Sequence, residues 1–64
     1  MQPHQQRVSD EKAELDERIG KLGAFIHGDV FPTLPGADQL LLIEQHSAMI
    51  VYSEILAKRI ARFA

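Results

Sequence analysis

The 64-residue sequence has no cysteine and no tryptophan, and only one tyrosine and three phenylalanines. Without cysteine there is no disulfide framework and no thiolate zinc site, and the composition fits a reducing compartment. Basic residues are not in excess. Seven Lys and Arg against nine Asp and Glu leave a net charge of −2, which disfavours a direct hold on nucleic acid, where many cations must neutralise phosphates. No uninterrupted apolar run approaches the roughly 18 residues of a membrane span, and the start "MQPHQQRVSDEK" is too polar for a secretory signal. These absences predict a soluble intracellular chain with no membrane partner.

Bulk is also missing. A chain this short buries a small fraction of its surface, and natural mini-proteins make up the deficit with disulfides, a structural metal, oligomerisation or very well packed helices. With cysteine absent, oligomerisation is the leading aid. Disorder is excluded because apolar residues make up 45% of the chain and recur with a helical period.

The stretch "HGDVFPTLPG", residues 27–36, divides the chain. Its glycines, prolines and aspartate supply turn chemistry, and Pro32 and Pro35 push the residues before them out of helical geometry. A first helix is predicted over about 3–26, opened by Pro3 and ended before Gly28. On it Val8, Leu15, Ile19, Leu22 and Ile26 form one stripe, which also takes in Gln5 and Lys12. Gly20 and Gly23 each weaken a helix interior by about 1 kcal/mol relative to Ala unless they serve a close approach.

A second helix is predicted over about 37–63, with Asp38 in its first turn and Lys58, Arg59 and Arg62 towards its end, each sign matching the helix dipole. Leu42, Met49, Leu56 and Phe63 form its inner line, widened by Ile43, Ile50, Ala57 and Ile60. Leu41, Ala48 and Ile55 form another line roughly 120° away, and Gln45, Tyr52 and Arg59 lie between the two. One neighbouring helix cannot reach both apolar lines. The expectation is an all-α protein, an antiparallel helical hairpin in one domain, which dimerises through Leu41, Ala48 and Ile55 into a four-helix arrangement. Val30, Phe31 and Leu34 of the loop are expected to plug the end of the bundle.

No catalytic constellation is present. His4, His27 and His46 lie at an end, in a turn and in a helix, without metal-ligand spacing. Ser9, Ser47 and Ser53 have no glycine-rich elbow, and Gly20 and Gly23 precede no phosphate-loop lysine. The expectation is no enzyme, no cofactor and no metal. On the surface, Asp10, Glu14 and Glu17 make an acidic outer line on the first helix. It is either a solvated face, braced by Glu14 with Arg18 and Glu17 with Lys21, or an attraction for a basic partner. The acidic start of the first helix could also pair with Lys58, Arg59 and Arg62. Tyr52 either packs at the dimer seam or, with Arg59, anchors a partner.

The segments "HQQRVSDEKAELDERIGKL", "FI" and "YSEILAKRIARF", with a Pro-containing loop between, resemble small phage-encoded two-helix proteins, over nearly the whole chain. Among these the chain is similar to the phage quorum-sensing anti-activator proteins. That resemblance implies a dimer acting in the cytoplasm of a bacterial host. It would bind a host regulatory protein, a transcriptional activator of the LuxR type, and block its DNA binding. The family also implies a pilus-assembly ATPase as a target. On that reading Tyr52, Arg59, Asp10, Glu14 and Glu17 are the partner-binding residues. The alternative is a sponge for nucleotide second messengers of anti-phage signalling, with Tyr52, His46, Arg59 and Arg62 stacking on bases and gripping phosphates.

Overall fold

In the computed structural model, which describes residues 2–63, two helices of similar length lie against each other. Helix α1 spans Pro3–Ile26 and helix α2 spans Gly36–Ala61. A single 3-10 turn, Phe31–Thr33, interrupts the connection. Among the described residues there is no strand. Pro3 opens α1 where its missing N–H costs nothing, and the Gln2 N–H donates to Gln5 Oε1 at 3.0 Å, satisfying a backbone group at the helix start. At the other end His27 leaves the helix with its Nδ1 2.8 Å from the Gly23 carbonyl. The loop is tied to α2 by Gln39, whose Nε2 donates to the Leu34 carbonyl at 2.8 Å.

The contact between the helices follows one seven-residue repeat on each. The least exposed positions of α1 include Gln5, Val8, Lys12, Leu15, Ile19, Leu22 and Ile26, and those of α2 are Gln39, Leu42, His46, Met49, Ser53, Leu56 and Ile60. Alternating steps of three and four keep such positions on one stripe, which is the condition for packing two helices along their length. Leu56 is the one fully buried large side chain, and it packs with Val8 and Leu15 while Ile19, Met49, Ile60 and Phe63 close around them.

Register is fixed by two contacts of different kind. Ser53, buried in the seam, donates its hydroxyl to Asp16 Oδ1, so a polar atom that would be costly to bury alone is satisfied across the helices. Asp16 also takes the Lys12 ammonium at 2.6 Å. The Lys12 hydrogen bond, and then the Ser53 hydroxyl, hold the Asp16 carboxyl below its ordinary pKa. Seven residues nearer the loop, a Cβ on Gly23 would stand 3.2 Å from His46 Nε2. Gly23 therefore leaves the room beside α1 that the imidazole occupies. Gly20 has no such neighbour, and a Cβ there meets nothing within 4 Å.

Three expectations differ from this packing. Ile43 and Ile50 are 45% and 38% exposed and Ala57 is exposed, because a single opposing helix covers only the two positions per repeat that face it. Val30 is 55% exposed, leaving only Phe31 and Leu34 half-buried at the loop end. Among the described residues the ion pairs are Lys12–Asp16 and Lys21–Glu17, both within α1. Neither Glu14–Arg18 nor a pair from α1 to Lys58, Arg59 or Arg62 is formed.

Candidate functional site: the Tyr52 flank and the outer face of α2

The hairpin is a thin rod of 47 × 15 × 13 Å, so any function is carried on its sides. Asp16 meeting Ser53 and Gly23 meeting His46 define the antiparallel register: a step of seven along α1 is answered by a step of seven back along α2. Extending it places Arg18 within one residue of the level of Tyr52, Glu11 of that of Arg59, and Phe25 of that of Gln45. By the helical repeat these six share one flank of the rod, opposite to the flank of Asp16 and Gly23. Phe25 and Tyr52 are 39% and 42% exposed.

Arg18 and Arg59 are exposed, and neither is in an ion pair among the described residues. Besides Glu11 and Gln45, the flank thus carries two aromatic rings and two guanidiniums whose hydrogen-bonding forks are unspent on carboxylates. Planar guanidinium and aromatic surfaces are suited to stacking, and the guanidinium fork to phosphate or carboxylate oxygens. Arg18 was not among the residues that the sequence singled out. Its apparent role was to brace Glu14 on its own helix, and its place beside Tyr52 depends on the register between helices, which no single-helix pattern contains.

The other candidate residues fall on two further surfaces. Leu41, Ala48 and Ile55 run along the outer side of α2, with Leu41 and Ile55 62% and 48% exposed. Leu40 and Val51 extend this surface. Asp10, Glu14 and Glu17 lie on the outer side of α1 and do not join Tyr52 and Arg59. Two of them are engaged locally, Asp10 by Gln6 Nε2 at 2.9 Å and Glu17 by Lys21 at 3.1 Å. His4 lies at the opposite end of the rod from His27 and His46, which both border Gly23, and among the described residues no group of three or more His, Asp or Glu could hold a metal ion.

By length and composition alone α2 is apolar enough to cross a membrane. A helix with protein on two sides has the same composition, and Glu44, His46 and Glu54 lie within its middle turns, where hydrocarbon would penalise them.

The family model described as Sequestin matches residues 2–62. The chain belongs to the Sequestin family. It is also similar, at 38% identity over 63 residues and 98% of both chains, to an uncharacterized 7.5 kDa protein of the denB-rIIB intergenic region of Enterobacteria phage T4. No solved structure matches. The Sequestin match spans both helices, the loop and every residue of the Tyr52 flank. Together with the phage relative it identifies a small phage protein. Neither match names a quorum-sensing target.

Proposed function

We propose that the protein works by stoichiometric sequestration in the cytoplasm of an infected bacterium, and that its cargo is a nucleotide second messenger of host anti-phage signalling. The observation that carries this reading is the flank on which Arg18 and Arg59, free of ion pairs, stand among the half-exposed rings of Phe25 and Tyr52. A nucleotide presents the matching chemistry: a planar base that stacks on aromatic or guanidinium faces, and phosphates that accept charge-assisted hydrogen bonds. The family description, Sequestin, agrees with holding rather than transforming. The cargo is expected to leave as it came.

The test is a melting curve measured against a panel of cyclic nucleotides. A ligand that binds only the folded chain at 100 times its Kd stabilises it by about 2.7 kcal/mol, which for a chain this small raises the Tm by roughly 10 °C or more. The cargo should be released chemically unchanged when the complex is heated. Tyr52→Ala and Arg18→Ala should each abolish the shift. No shift across the panel would sink the nucleotide reading.

A second reading is favoured by the acidic outer line of α1. Asp10, Glu14 and Glu17 would steer the protein towards a basic DNA-reading surface, and Tyr52 and Arg59 would anchor it, occluding a LuxR-type activator or, on another host target, a pilus-assembly ATPase. Affinity capture from host lysate separates the two, since the second reading requires a host protein in one-to-one ratio and no thermal shift with nucleotides.

A further inference from the structure

The outer side of α2 has no cover within the hairpin, although Leu41, Val51 and Ile55 are about half exposed or more. We infer that a second copy of the chain covers it, running antiparallel along α2 and crossing at Ala48.

Spacing supplies the first argument. Leu41 and Ile55 stand seven residues on either side of Ala48, two helical turns each way and on one line. A two-fold axis at Ala48 therefore lays Leu41 of each copy against Ile55 of the other. An isologous interface demands this balance about its centre, whereas a foreign partner imposes none. The small side chain sits at the crossing point, where the two backbones must come nearest.

Charge supplies the second and fixes the direction. The first half of α2 carries Asp38 and Glu44, and the second half with the residue that caps it carries Lys58, Arg59 and Arg62 against the single carboxylate of Glu54. Antiparallel copies lay an acidic half over a basic half at both ends. Parallel copies would lay like over like.

The third argument is what the hairpin lacks. Its buried apolar core is Val8, Leu15 and Leu56, meagre for a folded domain of this length. Pairing through α2 adds a second apolar layer, while α1 stays outside with its charges in water. It also gives the Tyr52 flank a second wall, because Gln45, Tyr52 and Arg59 adjoin the Leu41, Ala48 and Ile55 line. This inference does not depend on the nature of the cargo and is read by oligomeric state alone.

Because the chain has no cysteine, introduced thiols report the pairing without background. At micromolar concentration the intact chain should sediment at twice its 7.2 kDa mass. Ala48→Cys should oxidise to a covalent dimer. Leu41→Cys should not cross-link to itself, yet should do so when mixed with Ile55→Cys, since a disulfide forms only between thiols held a few ångströms apart. Ile55→Asp should dissociate the pair, and if that variant fails to fold the cross-linking pattern still decides. A folded 7.2 kDa monomer, or self-linking of Leu41→Cys as fast as that of Ala48→Cys, overturns the inference.

Discussion

The two helices share a repeat, a length and a seam, and they differ in what they show to the outside. Away from the seam α1 exposes Arg7, Asp10, Glu11, Glu14, Glu17, Arg18 and Lys21, whereas α2 exposes Leu40, Leu41, Ile43, Ile50, Val51, Tyr52 and Ile55. The same periodic signal thus encodes two jobs. A helix with one partner needs an apolar stripe and otherwise a charged surface, and α1 is that helix. An α2 built only to hold α1 would look the same, and its extra apolar surface is what the inferred pairing of two copies would cover. Among the described residues, the ion pairs at i, i+4 are both on α1.

Several substitutions would break or sharpen this contrast. The largest effect is expected at the seam that both helices share. Leu56→Ala removes the one fully buried large side chain and should cost about 2–5 kcal/mol. On so small a core that is enough to unfold the chain at room temperature, read as loss of helical circular dichroism. The equivalent truncation on the outer side of α2, Leu40→Ala, should leave the helicity of the hairpin in place.

Next comes the polar link between the helices. Ser53→Ala should cost about 1 kcal/mol in a chemical melt, the ordinary net worth of a protein hydrogen bond. It should also change the acid response. Asp16 has a lowered pKa in the folded chain, so its contribution to stability is complete above the ordinary carboxylate pKa and is lost as pH falls through the lowered one. The acid melt of Ser53→Ala should therefore be shallower than that of the parent, because the carboxyl loses one of the two hydrogen bonds that favour its charged form.

Smaller again are the two glycines of α1, which form a matched pair. Gly20→Ala has open space and should stabilise the chain by up to about 1 kcal/mol through helix propensity. Gly23→Ala gains the same propensity but pushes on His46, so its Tm should fall below that of Gly20→Ala. Equal gains at both positions would show that the imidazole moves aside freely. The least effect is expected from converting Asp10, Glu14 and Glu17 to amides, within about 0.5 kcal/mol per position. If a protein partner is bound, the same change should slow association and flatten its dependence on salt.

Much of this fold is legible along the chain because both helices obey a repeat that can be counted, and because Pro32, Pro35 and the glycines mark the turn. The uncovered Leu41, Ala48 and Ile55 line is legible for the same reason, since it is a second stripe on a helix that already has one. Ile43, Ile50 and Ala57 misled because an apolar arc on a wheel does not state how wide its partner is, and one helix is narrow. Arg18 was hidden for a different reason. Its neighbours on the flank come from the other helix, and their alignment depends on Ser53 reaching Asp16 and on Gly23 making room for His46. Those contacts link residues far apart in the chain and leave no periodic trace.

A rod 13–15 Å across has no interior in which part of the chain could stay folded after the seam opens. Each helix holds its shape largely because the other is there, so opening exposes nearly the whole backbone at once to the proteases of the cell. Whatever closes the rod, whether a second copy or a captured molecule, lowers the population of that open form by mass action. On the proposed reading, a copy that holds its cargo or its partner is expected to resist proteolysis longer than an empty one, which limited digestion with and without ligand would measure.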